Sequence, residues 1–257
     1  MISRREQVGN PRGLRAKPSF KWTLSSITDW HSLWVASAAN VVLDGTNTWV
    51  SQWNDISGNA HHMSKGAFAN EGPTLVASHA AFSGQPVLRL PGGTAPCPYM
   101  ETGALTSIPQ PYTWFVVARL YDAAQGGSNP YLFDSKDGLQ SGLHEAWAHG
   151  GAQHYAGNDV DLGKSFSNVT RAAAIVCNGA SGKHAISTLS ITSGVNFGAQ
   201  SVTDGVCLGN YSDGNGSGVF AWIGECALLG LLPRAATDAE IQSFQKWASR
   251  NYGVALS

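Results

Sequence analysis

Charge is what this 257-residue sequence has least of, at 13% Asp, Glu, Lys and Arg against about a quarter in ordinary soluble domains. Long surface helices need those residues on their solvent side, so a helical bundle or coiled coil is excluded. No apolar run approaches the roughly eighteen residues of a membrane-spanning helix. The four cysteines, Cys97, Cys177, Cys207 and Cys226, contain no C-x-x-C pair and read as reduced, small core residues rather than ligands. A phosphate-binding glycine loop, a nucleophile elbow and a dinucleotide fingerprint are all missing. So is a Lys/Arg stripe interleaved with aromatics, which removes direct nucleic-acid reading by the body of the chain.

What is present is glycine (30), tryptophan (9) and 43% hydrophobic residues, enough to close one sizeable core. Short apolar runs alternate with clusters of Gly, Asn, Asp, Ser and Pro, the rhythm of an all-β sandwich or barrel. Residues 112–121 (YTWFVVARLY), 171–177 (RAAAIVC) and 225–232 (ECALLGLL) are almost continuously apolar, as in strands covered on both faces. Segments 32–35, 49–53, 87–90, 184–191 and 219–223 have period two and predict half-exposed strands. About a dozen strands in two sheets follow from these runs and the turns between them. One helix is predicted at about 238–250. Thr237 and Glu240 form a capping box, Ile241, Phe244, Trp247 and Ala248 make an apolar stripe, and Asn251-Tyr252-Gly253 is a stop. That stripe is expected to pack on the outside of a sheet.

Charge is unevenly placed. Residues 1–21 hold Arg4, Arg5, Arg12, Arg15, Lys17 and Lys21 against Glu6, a net +5, which leaves −6 on residues 22–257. The sequence thus predicts a basic N-terminal arm (1–21), able to dock on an acidic surface or a neighbouring copy, ahead of a sandwich domain (22–257). The Arg4-Arg5 pair is followed by Glu6, Gln7, Gly9, Asn10 and Pro11 with no apolar stretch, so no signal peptide is expected and synthesis is predicted to be cytoplasmic.

Two separated regions carry a family resemblance. The first runs through Leu33-Trp34, the 50–59 segment VSQWNDISGN, Gly72-Pro73-Thr74-Leu75 and the 84–90 segment GQPVLRL. The second runs through Gly209, residues 220–229 with Gly224-Glu225, and the 232–241 segment LPRAATDAEI to Tyr252-Gly253. Together they resemble the concanavalin A-like, laminin-G-like jelly-roll domains of bacterial surface proteins and phage virion proteins, over about residues 30–253. In this motif Trp53 would close a strand end over the core. Asp55 would accept N–H groups of the next turn, and Gly58 would permit a positive φ.

The resemblance implies a two-sheet antiparallel jelly-roll sandwich and says little about chemistry. Glycoside hydrolases on this jelly roll carry two glutamates on one strand. The six glutamates here (6, 71, 101, 145, 225, 240) offer no such pair. Polysaccharide lyases on related folds use a tyrosine and a histidine, and residues 143–159, which read as a hairpin turning at Gly150-Gly151, hold those residue types. Trp147, His149, His154 and Tyr155 are the glycan-contact candidates, and His149, His154 and Tyr155 would serve a lyase. His61-His62, adjacent on an extended chain, make a poor chelate. Asp213 and Asn215 suit calcium chemically but also make an ordinary hairpin loop, so no cofactor is expected. The prediction is a non-enzymatic structural or adhesive protein. Its concrete form is a bacteriophage virion component, head decoration or tail-associated, pinned by the arm to other virion proteins or its own copies and released by lysis. A carbohydrate-binding lectin-like module is the alternative, and a lyase or glycoside hydrolase on the same fold is a further one.

Overall fold

A computed structural model describes residues 22–66, 72–92, 98–121, 129–136, 141–146, 151–210 and 221–257. Its strands in chain order begin with β1 (Ser32–Val35), β2 (Val41–Leu43), β3 (Val50–Trp53), β4 (Met63–Lys65), β5 (Thr74–Val76) and β6 (Val87–Leu90). They continue with β7 (Met100–Thr102), β8 (Tyr112–Leu120), β9 (Tyr131–Ser135), β10 (Gly142–Ala146), β11 (Gly151–Tyr155) and β12 (Asp159–Asp161). The last are β13 (Arg171–Cys177), β14 (Gly182–Ile186), β15 (Thr192–Val195), β16 (Val206–Leu208) and β17 (Gly224–Leu232), before the helix α1 (Asp238–Tyr252). Eight strands form one sheet in the order β15-β14-β13-β8-β17-β6-β5, with β1 pairing the C-terminal part of β17. Nine form the other, β12-β11-β10-β9-β16-β7-β4-β3-β2. Every strand pair is antiparallel, so the expected two-sheet jelly-roll sandwich is the observed fold.

The three apolar runs become β8, β13 and β17, and they are neighbours in the middle of the eight-stranded sheet. Their continuous hydrophobicity has a simple cause: both of their faces are covered. Trp114, Val116, Ile175, Leu229 and Leu231 enter the core between the sheets, where they meet Trp34, Trp53, Met63, Phe133 and Leu208. Phe115, Val117, Ala174, Val176 and Leu228 turn the other way and meet Ile241, Phe244 and Ala248 of α1, with Phe115 and Phe244 edge to face at 4.8 Å. Each such large side chain removed from water contributes about 1.5–3 kcal/mol, so the layers specify one another.

Local chemistry fixes the ends of these elements. Thr237 Oγ1 accepts from the Glu240 N–H (3.2 Å), and Glu240 Oε2 accepts from the Thr237 N–H (2.7 Å), closing the predicted capping box. The helix runs two residues further than expected, to Tyr252, because Gly253 (φ 67°) is the residue that turns the chain. Asp55 does more than was expected of it. Its Oδ1 accepts from the N–H groups of Ser57 (2.9 Å) and Leu33 (2.8 Å), and its Oδ2 from the His61 N–H (3.0 Å), tying the turn to β1. Gly224 has no Cβ because one would strike the Arg119 carbonyl and approach Trp222 Nε1 to 2.7 Å.

Two expected strands differ. The 184–191 segment stops at Ile186, since Ser187 takes φ 46° and reverses the alternation. Of 219–223, residues 219–220 lie outside the described residues, and 221–223 form one isolated bridge, Ala221 to Tyr131, with Trp222 buried. Among the described residues no helix is long and apolar enough to cross a membrane.

Candidate functional site

β10 and β11 pair antiparallel as the predicted hairpin, with Leu143 opposite His154, His144 opposite Gln153 and Gly142 opposite Tyr155, but Gly151, expected in the turn, is the first residue of β11 and pairs with Ala146. Period-two alternation then separates the candidates. His154 points inward and is fully buried, while Tyr155 is half-buried on the outer face. A site using both side chains is therefore corrected to two separate environments, one sealed and one open.

The sealed environment is a polar knot inside the sandwich. Tyr112 Oη (2.9 Å) and Trp114 Nε1 (3.1 Å) both donate to Ser141 Oγ. Ser141 Oγ and Cys177 Sγ lie 3.4 and 3.3 Å from His154 Nε2, and His154 Nδ1 has no partner among the described residues. Burial, then the charges of His144 and His184, brings the His154 pKa down to about 3. Burial also pushes the Cys177 thiol far up. A serine, a histidine and a cysteine thus meet, but the imidazole is neutral and weakly basic, the thiol is protonated, and Ser141 is saturated by two donors. This knot packs the core.

The outer environment is a row of side chains across the outer face of the nine-stranded sheet, exposed at Asp159, half-buried at Tyr155 and Glu101, and buried at Asp134 and Cys207. Asp159 lies opposite Tyr155, Tyr155 opposite Gly142, Asp134 opposite Cys207, Cys207 opposite Glu101, Glu101 opposite Ser64 and Ser64 opposite Gln52. Their strand neighbours Val160, Leu143, Val206, Leu208, Met100 and Met63 face the core, which puts the row outside. A second row beside it is Asp161, Gln153 and His144, with His144 stacked on Tyr131 at 4.7 Å. Glycine at 142 lets the two rows meet: a Cβ there would come within 2.9 Å of Asp134 Oδ1 and 3.1 Å of Tyr131 Cε1.

Electrostatics on this face favour polar contact over nucleophilic attack. Burial lowers the His144 pKa against the pull of Asp159 and Gln153, and in the hydrogen-bond network its Nε2 is placed to donate to Gln153 Oε1 (3.3 Å). Burial, with Asp134 and Glu101 nearby, holds Cys207 as a thiol. Carboxylate and amide oxygens at Asp159, Asp161, Gln153 and Glu101 can accept sugar hydroxyls, and a tyrosine ring suits the apolar face of a pyranose.

Of the remaining sequence candidates, Trp147 and His149 lie outside the described residues, as do Asp213 and Asn215 and the arm residues Arg4, Arg5, Arg12, Arg15 and Lys17. Among the described residues no group of three or more His, Cys, Asp or Glu is placed to hold a metal ion. Tyr131, Asp134, Gln153 and Glu101 were missed because they converge from strands far apart in the chain. The usable signal was the outward parity shared by Gln153 and Tyr155.

No family model matches the sequence, and no curated protein is significantly similar to it. Solved structures do match in fold. Domain 4 of AbnA, a GH43 extracellular arabinanase from Geobacillus stearothermophilus solved with arabinotriose, has a TM-score of 0.57 at 14% identity, covering 84% of this chain and 98% of that one. Trypanosoma rangeli sialidase in complex with sialic acid gives 0.56 at 12% identity, over 87% of this chain and 33% of the sialidase. The binding domain of Paraclostridial Mosquitocidal Protein 1 gives 0.55 at 14%, over 84% and 51%. This chain spans about a third of the sialidase's length, and the likeness is one of fold.

Proposed function

We propose that the protein is a non-enzymatic, adhesive β-sandwich of the concanavalin A-like kind that binds carbohydrate on the outer face of β10, β11 and β12. The observation that carries this reading is the placement of Tyr155, Gln153, Asp159 and Asp161 side by side on one face, where a ring and three hydrogen-bonding groups alternate at strand spacing. Trp147 and His149 belong to the connection between β10 and β11 and are further contact candidates by their place in the chain. The arabinanase domain solved with arabinotriose, matched over nearly its whole length, supports the reading by fold. A virion location anchored through Arg4, Arg5, Arg12, Arg15 and Lys17 is the sequence-based extension of it. The similar structures give that extension no support.

The test is a glycan array followed by calorimetry on the strongest hit. Tyr155→Ala is expected to weaken that hit about tenfold or more, the loss of one stacked ring and its hydrogen bond, with unchanged unfolding. An array without hits, or a hit indifferent to Tyr155 and Gln153, overturns the assignment.

A further inference from the structure

On the helix-bearing sheet, three adjacent strands each interrupt an apolar pattern with one charged residue at the same level. Arg89 of β6 lies opposite Glu225 of β17, and Glu225 opposite Arg119 of β8. Their neighbours Leu88, Leu90, Cys226, Ala118 and Leu120 all face the inter-sheet core, so the three charges project from the outer face. Tyr121 stands beside them, with the Arg89 and Arg119 guanidinium carbons 5.6 and 5.9 Å from its ring centroid. His79 Nε2 is 3.1 Å from Glu225 Oε1.

This cluster does not satisfy itself. Glu225 is wholly buried, yet only its Oε1 is engaged, by His79 and by one long bond from Arg89 Nη2 (3.3 Å). Among the described residues Glu225 Oε2 and the buried Nε atoms of Arg89 and Arg119 have no partner, and the Arg119 guanidinium donates to none. Structural Arg–carboxylate pairs frequently close as two-bond forks, and neither arginine makes one with a described residue. Two guanidinium groups over one carboxylate leave an excess of positive charge, while the Arg89 side chain is 40% exposed. Glu225 is a buried counter-charge bonded to Arg89 and electrostatically coupled to Arg119, and the Tyr121 ring lies beside both guanidinium groups.

We propose that Arg89, Arg119 and Tyr121 form a second binding site, on the sheet face opposite the Tyr155 row, for the carboxylate or sulfate substituent of an anionic polysaccharide. The oxyanion charge follows from the two unforked guanidinium groups. Its being borne by a sugar rests on the carbohydrate-binding reading given above.

Trigalacturonate, inorganic sulfate and neutral arabinotriose are the probes, each titrated into the full-length protein while the arginine Nε–H resonances are followed by NMR. Trigalacturonate and sulfate are expected to shift the Arg89 and Arg119 signals, and arabinotriose is not. A carboxylate-specific site responds to the first alone, and a general oxyanion site responds to both. Arg119→Gln should weaken the acidic probes about tenfold, the worth of one charge-assisted hydrogen bond. Arg119→Lys, which keeps charge and stem but loses the fork, should weaken them by less. Wild-type signals unmoved by both acidic probes, or moved equally by arabinotriose, overturn the proposal whatever the variants do. If acidic probes bind through Arg119 while no neutral glycan binds anywhere, this site stands and the Tyr155 assignment falls.

Discussion

Inside the sandwich the thiol of Cys177 sits 3.3 Å from His154 Nε2, while Tyr155, the next residue after that histidine, faces the opposite way. One peptide bond divides a side chain that holds the core from one proposed to meet ligand. Substitutions at the two positions should therefore separate stability from binding.

His154→Ala empties a ring-sized space beside Phe133 and Phe197 and is expected to cost about 3 kcal/mol. Urea unfolding should show it as a lower midpoint. The dissociation constant for any glycan bound by the wild type should not move. A binding loss at full stability would place His154 in the site after all.

The thiols of Cys177, Cys207 and Cys226 are buried, and burial raises all three, Cys226 to about 12. They should resist iodoacetamide in the native protein and react once it is unfolded. Mass spectrometry of labelled peptides reads this directly. Rapid native labelling at any of the three contradicts the sealed interior.

Stability should fall as pH drops below about 6.5, the ordinary histidine value. Burial lowers the pKa of His31 to about 4 and of His154 to about 3, and lowers His144 and His184 as well. The unfolded chain then binds more protons than the native one throughout that window, so the free energy of unfolding decreases with falling pH. Glu145 and Glu225, raised by burial, act with the opposite sign above their ordinary value of 4.5. The four histidines outnumber them, and a lower urea midpoint at pH 5 than at pH 7 is expected. A flat profile would mean that the imidazoles are solvated.

Thr237→Ala removes the hydroxyl that caps α1 and is expected to cost about 1 kcal/mol. Glu240→Gln should cost at least as much. The Glu240 carboxylate, held near a pKa of about 2 by Arg234 and by the cap, also receives the Arg234 fork that reaches Asp29. Thermal unfolding of the two single variants and the double variant should show non-additive losses, because the groups share one network.

Much of the architecture could be read in advance because its strongest elements are locally encoded. Residues 112–121, 171–177 and 225–232 announce strands buried on both sides, and Thr237 with Glu240 announces the helix. Strands of three residues, such as β4, β7 and β16, are not legible: too short to show a period, they exist through partners such as Met63 with Thr102 or Cys207 with Asp134. The site follows the same division. Tyr155 stood out by residue type, but its companions Asp134, Glu101 and Tyr131 arrive by pairing between distant segments. Grouping His154 with Tyr155 ignored alternation, which alone was enough to part them. Arg89, Arg119 and Glu225 each left a trace, a lone charge inside an apolar strand, whose meaning emerged only when β6, β8 and β17 lined up.

The packing of α1 sorts the molecule into a back and a front. Trp22 meets Trp247 edge to face, and Val254 and Leu256 settle into the same layer beside the helix. Trp22 thus lies in the rear layer, while the C-terminal Ser257 reaches Ser187 and Lys164 at the sandwich edge. A tether reaching the domain through Trp22 would stand behind the helix, leaving the broad sheet with Tyr155 turned toward whatever the protein approaches.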